Sequence, residues 1–278
     1  METRTTGANV NTRDTLVFDT LVFDTLVFGD AAAIARDAAE LAVEAGRRAV
    51  AARGRFAVAL SPAFLTPAVL DALAATAARA PGVWGSTHFF LADTVFDAAR
   101  YDGASLAEAV AARLPVAAHQ LHFRAAAARD AVRAAAEYEL ELGAFFALRE
   151  GELPRFDLAL LALDADGRVA GLAAGGAALG ELTRLAVADF LPAQRARVVT
   201  LTGPVLAAAP QIVVRAASPG ARRTAEGLRA CRAQPDRCRP HVLAGAAGAV
   251  RFLIELTAAA GPAAAVHRPE TDLRKELS

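Results

Sequence analysis

Residues Phe156–Leu163, FDLALLAL, form a short, almost continuous apolar run that passes directly into Asp164-Ala165-Asp166-Gly167-Arg168. A run with no polar alternation suits a strand covered on both faces, as in a parallel sheet packed between layers of helices. In open α/β sheets, ligands bind just beyond the carboxyl ends of such strands. The polar loop at 164–168, followed by a stretch rich in Ala and Gly, is therefore where chemistry is expected.

Strand-like and helix-like segments alternate around that run. Asp30 is placed to cap a helix over Ala31–Arg53, and Arg55–Leu60 reads as a strand. Thr66-Pro67 has the cap and first-turn pattern of the next helix. Thr87–Leu91 reads as a third strand, followed by helical stretches over Ala104–Leu114 and Ala125–Leu148. Beyond the central run, Ala196–Thr202 and Gln211–Ala216 read as strands, Arg222–Ala230 as a helix and Ala249–Ile254 as a last strand. The pattern predicts a doubly wound, mainly parallel open sheet with helices on both faces, in a single α/β domain over 25–262. A polar tail is expected at 263–278.

Residues 1–24 are expected to be a disordered tail carrying a repeat: Thr15–Asp19, Thr20–Asp24 and Thr25–Gly29 read TLVFD, TLVFD and TLVFG. A period of five moves each copy to the opposite side of a strand, so one copy, the last, is assigned to the sheet. The repeat reads either as a self-associating edge or, more simply, as a tandem duplication with some aggregation hazard.

The totals exclude several classes. Thirty basic and 30 acidic side chains give a formal net charge of zero, so no global field draws in a polyanion, and no nucleic-acid partner is expected. No apolar run has the length of a membrane helix and no leader pattern opens the chain, so a cytoplasmic protein without membrane contact is expected. Cys231 and Cys238 have no neighbouring histidines, which argues against a zinc site and for a pair of thiols over a local disulfide.

The landmarks occur in a recognisable order: Leu60–Pro67 after a strand, Ala92-Asp93 after the next, Phe156–Gly167, the TLTGPVLAA segment Thr200–Ala208, Ile212–Val214, and Phe252–Ala259. This order resembles the 6-phosphogluconolactonases, within the wider glucosamine-6-phosphate isomerase and lactonase superfamily. The resemblance implies their α/β fold and hydrolysis of 6-phosphogluconolactone to 6-phosphogluconate, a pentose phosphate pathway step, with neither metal nor organic cofactor. It also implies a sugar-phosphate ligand; no protein partner is indicated.

Carried over residue by residue, the resemblance places Asp166 and Arg168 at the catalytic positions. It places Ser61, Thr66, Asp93, Gly167, Arg222 and Arg223 around the substrate. The family's glycine-rich phosphate loop is here Pro62-Ala63-Phe64-Leu65, and Pro62 has no N–H to donate. The family's arginine after Asp93 becomes Val95, and its arginine before the TLT strand falls at Val198, one residue from Arg197. The histidine taken as the family's water-activating base is here Arg168. A guanidinium, with a pKa above about 12, stays protonated and cannot accept that proton. The expected function is a 6-phosphogluconolactonase-like protein with weak or lost hydrolysis, the alternative being a silent sugar-phosphate-binding or protein-interaction paralogue.

Taken alone, each of these residues keeps a plainer reading. Arg168 reads as an anion-binding cation or a solvated loop arginine. Asp166-Gly167 reads as a retained family turn or a tight-turn pair. Asp93 reads as a ligand-orienting acid or a helix cap. His88 reads as a satisfied histidine on a strand, and His119 with His122 as non-metal residues. The arginines from Arg215 to Arg239 read as a solvated face.

Overall fold

The computed structural model describes residues 12–18, 21–96, 103–123, 130–164, 168–173, 176–192, 195–216, 243 and 246–255. In chain order the elements are β1 (Thr12–Phe18), β2 (Leu21–Phe28), α1 (Ala31–Arg53), β3 (Phe56–Leu60), α2 (Pro67–Ala77), α3 (Pro81–Trp84) and β4 (Thr87–Leu91). There follow β5 (Asp93–Phe96), α4 (Gly103–Ala111), β6 (Leu121–His122), α5 (Ala131–Phe146) and β7 (Leu158–Leu163). The last are β8 (Ala186–Leu191), β9 (Ala196–Leu201), α6 (Gly203–Ala207), β10 (Gln211–Ala216) and β11 (Ala249–Glu255).

Eight strands form one sheet in the order β1-β2-β11-β10-β7-β3-β4-β6. Every pairing in it is parallel except that of β1 with β2. From β3 the chain winds outward through β4 to β6, and from β7 it winds the other way through β10 to β11. The neighbouring pair β7 and β3 is thus the point where the winding reverses, and in open α/β sheets it is at the carboxyl ends of such a pair that ligands bind.

The unbroken apolar runs are explained by two cores, one on each face of the sheet. Phe56, Val58 and Leu60 of β3 pack with α1, α2 and α3, together with Leu158 and Leu160 of β7. The alternate residues Ala57, Ala59, Ala159 and Leu161 face α5, α6 and a second, smaller sheet. Small residues dominate that side of β3 and β7, and larger rings fill the gap from Phe90 and Phe156. Asp30 caps α1 through the Ala33 N–H, and Thr66 caps α2 through the Val69 N–H, as their positions predict.

Two expectations change. The segment 12–24, apart from 19 and 20, is not a tail: Thr12–Phe18 and Leu21–Phe28 are both strands, and β2 takes residues from two copies of the repeat. An odd period is tolerated because β2 is covered on both sides, with Val27 in one core and Phe28 in the other. The second change concerns Ala196–Leu201, which joins no parallel ladder. As β9 it is the centre of an antiparallel three-stranded sheet, β5-β9-β8. The two sheets meet at Ala92, whose N–H donates to Leu60 O (2.8 Å) while its carbonyl accepts from Leu201 N–H (2.8 Å). The expected helix at 222–230 and tail at 263–278 lie outside the described residues, as do Cys231 and Cys238.

Candidate functional site

The reversal point carries a polar cluster built from three strand ends. Ser61 follows β3 directly; its N–H continues the ladder to the neighbouring strand by donating to Leu160 O of β7 (2.9 Å). Its hydroxyl donates to Asp93 Oδ1 at 2.5 Å, and the residue is almost fully enclosed, with 1% of its surface exposed. Asp93 opens β5, one residue beyond the end of β4, so it is held by the junction between the two sheets and caps no helix. Asp164 ends β7. Its N–H donates to Arg168 O (3.0 Å), and its carboxylate accepts from the Arg168 N–H (3.1 Å) and pairs with the Arg168 guanidinium.

Arg168 is therefore no solvated loop residue: its side chain is 11% exposed and bound to Asp164. The next residues turn tightly. Ala170 and Gly171 both take left-handed backbone angles, φ 49° and 78°. Alanine pays for that conformation through its Cβ, which makes this a strained loop. The Thr200 hydroxyl of β9 holds it in place by donating to Ala170 O (2.5 Å). A side chain at Gly171 would be crowded, since a Cβ there would stand 3.0 Å from Val198 Cγ2 and 3.3 Å from Asp93 Cβ.

The electrostatics single out Asp93. Enclosure of its carboxyl pushes its pKa up from 3.8 to about 6. The Ser61 hydrogen bond and the Arg168 charge oppose that rise, while the Asp164 charge adds to it. The residue nonetheless keeps a partial solvent edge. Asp93 is thus a carboxyl poised between its two protonation states near neutrality, fixed by a hydroxyl and facing an ion pair.

The loop that should hold an anion is closed in on itself. Pro62–Phe64 makes one 3₁₀ turn, and the amides of Phe64, Leu65 and Thr66 donate to the carbonyls of Ser61, Pro62 and Phe64. Phe64 is buried at 0% exposure. The Thr66 hydroxyl is occupied in capping α2, where it accepts from Val69 N–H at 3.3 Å. The loop instead offers a carbonyl, Ala63 O, to the Arg215 guanidinium (2.7 Å). Arg215 is half-buried at the end of β10, and burial lowers its pKa against the raising effect of Glu255. It belonged to the series read as a solvated face. The available signal was its place as a lone charge near the carboxyl end of an apolar strand, QIVVRA.

Among the sequence-assigned residues, the structure brings Ser61, Asp93 and Arg168 together and leaves Thr66 to its helix. Asp166, Gly167, Arg222 and Arg223 lie outside the described residues. Arg197 is exposed, on the opposite side of β9 from buried Val198. Asp164, not singled out from the sequence, proves to be the partner of Arg168. The histidines His88, His119 and His122 gather elsewhere, at the β4–β6 edge: His88 Nδ1 lies 3.1 Å from His122 Nε2, and His122 Nδ1 lies 2.8 Å from Glu141 Oε1. Among the described residues, no cluster of His, Cys, Asp or Glu is arranged to hold a metal ion, and no helix is long and apolar enough to cross a membrane.

A doubly wound α/β domain with its acids and cations at the reversal crevice is the class of scaffold that binds small polar ligands. The chain belongs to the family described as glucosamine-6-phosphate isomerases/6-phosphogluconolactonase, whose sequence profile it matches over residues 29–250. Among solved structures it is similar to devB protein, with 18% identity over 84% of this chain and 96% of that one and a TM-score of 0.68. It is also similar to 6-phosphogluconolactonase from Trypanosoma brucei, with 18% identity over 82% and 95% of the two chains and a TM-score of 0.67. The Trypanosoma cruzi 6-phosphogluconolactonase gives 17% identity, 83% and 93% coverage, and a TM-score of 0.66. At such identities the likeness is one of fold. No curated protein matches the chain significantly in sequence.

Proposed function

We propose that this chain is a 6-phosphogluconolactonase-like protein that retains a sugar-phosphate crevice and hydrolyses the lactone weakly or not at all. The supporting observation is the Arg168–Asp164 ion pair at the carboxyl end of β7. At the position where the resemblance puts the water-activating base stands a guanidinium that is permanently charged and already neutralised by a neighbour. General-base catalysis is worth about 10²–10⁴-fold, and the chain forgoes that factor at this position. Asp93 is the one group of the cluster whose pKa, about 6, suits a base. Its lone pairs are partly committed to the Ser61 hydroxyl, which leaves it a poor substitute.

The self-bonded amides of residues 64–66 favour a second reading, a silent paralogue in which the phosphate loop has closed and the crevice serves binding alone. One assay separates the readings from a working enzyme. Purified protein is mixed with 6-phosphogluconolactone, and the loss of lactone is compared with buffer. The expected rate is within a few-fold of buffer, and Arg168→His alone does not restore turnover because the phosphate loop is also altered. A kcat above about 1 s⁻¹ refutes the proposal. A rise in melting temperature with 6-phosphogluconate supports a retained crevice, since a ligand held only by the folded state must stabilise it. No rise at millimolar ligand counts against a retained sugar-phosphate site and favours the protein-interaction form of the silent paralogue.

A further inference from the structure

The β1–β2 hairpin pairs in a register where partner numbers differ but the chemistry repeats. Asp14 lies opposite Thr25, Thr15 opposite Asp24, Leu16 opposite Phe23, Val17 opposite Val22, and Phe18 opposite Leu21. Over these five pairs aspartate stands opposite threonine, leucine opposite phenylalanine and valine opposite valine, while the two outer pairs, Thr12 with Val27 and Arg13 with Leu26, fall outside the repeat. The five-residue repeat is the reason. Its unit is DTLVF, at 14–18, 19–23 and 24–28, and it is complementary to itself when run antiparallel.

Extended past Phe18–Leu21, the same register sets Asp19 opposite Thr20, one more Asp–Thr pair. Two copies of the chain laid antiparallel in this register therefore match without interruption over 14–25, about a two-fold axis between residues 19 and 20. Within one chain only Asp19 and Thr20 stand between the paired residues Phe18 and Leu21. Two-residue hairpin loops favour backbone angles that suit Asn-Gly or Gly-containing pairs, and this connection has no glycine and a β-branched second residue. Exchange between two copies removes the need for a two-residue turn while every cross-strand pair is remade in the partner.

β2 is anchored in its own chain by the parallel ladder to β11, Phe23 to Phe28 against Val250 to Glu255. Among the described residues β1 has β2 as its sole strand partner, so β1 is the segment free to change chains. We infer that the chain forms a reciprocal strand-exchanged dimer, in which Thr12–Phe18 of each copy pairs with Leu21–Val27 of the other in the register seen within one chain. This is a closed two-fold exchange, and it consumes both strands of both copies.

Cysteines placed at a directly opposed pair report which chain supplies each strand. In a full-length Cys231→Ser, Cys238→Ser background, Val17→Cys with Val22→Cys puts two thiols across the ladder at a separation a disulfide can span. A closed hairpin bridges within a chain, and an exchanged pair bridges between chains. After refolding and oxidation, non-reducing electrophoresis should show a covalent dimer. Its share should rise severalfold between about 5 µM and about 500 µM, because the intramolecular strand competes at an effective concentration near millimolar. Adding Asp19→Asn with Thr20→Gly, which suits the closed turn, should return the protein to monomer.

Monomer at every concentration overturns the inference, as does a dimer whose share ignores the Asn-Gly change. A dimer from Val17→Cys alone also overturns it, since that indicates edges lying side by side without exchange. An open ladder of larger species refutes the closed two-fold. Sedimentation of the unmodified chain over the same concentrations gives an independent reading: a monomer–dimer equilibrium supports the exchange, and a single monomeric species refutes it.

Discussion

Replacing Gly171 by alanine tests whether the crevice is as tightly built as its geometry indicates. Gly171 has φ +78°, and a Cβ there meets Val198 Cγ2 at 3.0 Å and the Cβ atoms of Asp93 and Thr200 at 3.3 Å. The left-handed backbone alone costs an L-residue about 1–2 kcal/mol. The contacts add overpacking of about 1–3 kcal/mol, because Val198 and Thr200 are buried strand residues with no room to retreat. The sum is about 2–5 kcal/mol. Gly54 supplies the control: its φ is +71° with nothing within 4 Å of a built Cβ, so Gly54→Ala should lose the backbone term alone. Urea unfolding of both variants, compared at fixed m-value, reads the difference. Equal losses for the two glycines would refute the packed crevice, and so would a Gly171→Ala protein with wild-type stability.

Asp157→Ala should cost about 1–3 kcal/mol in the same assay, because it strips the Ala57 N–H of its carboxylate acceptor (2.8 Å) and leaves Arg53 without its partner. Arg168→Met should raise the Asp93 pKa above about 6, since the Arg168 charge now holds it down; a carbon-detected NMR titration of the carboxyl reads the shift, and a fall counts against the stated geometry. The pH profile of stability should hold two opposed slopes. Burial and the neighbouring His122, His119 and Arg55 charges lower His88 from 6.5 to about 4, so the folded chain carries fewer protons than the unfolded one in that window and loses stability as pH falls. Asp93 is raised from 3.8 to about 6, so the folded chain carries more protons there and loses stability as pH rises. Asp93→Asn should therefore steepen the acid loss between about 6.5 and 4, and His88→Gln should reverse its direction. Parallel profiles for both variants would contradict this sign assignment.

Much of this arrangement is legible in the residues themselves. The caps at Asp30 and Thr66 and the strands over 56–60, 87–91 and 158–163 follow from local chemistry, and the parallel sheet follows from their order. The small antiparallel sheet was hidden because β5 is a four-residue strand continuing almost directly from β4, and Asp93-Thr94-Val95-Phe96 carries no turn signal to separate them. The N-terminal hairpin was hidden by assuming that a strand must keep one wet face, which fails where both faces are covered. At the site, the residue types were readable and their pairings were not. Ser61 with Asp93 spans 32 positions of chain, and Arg215 reaches Ala63 across 152. Spacing along a sequence does not report such meetings.

Ala92 belongs to two sheets at once, giving its amide to one and its carbonyl to the other. The acid beside it is thus located by main-chain bonds that no substitution short of proline removes. Around so fixed a point, the flanking loops can change their side chains and still present the new groups to the same carboxyl. A scaffold of this kind can lose one chemistry, and take up another, without refolding.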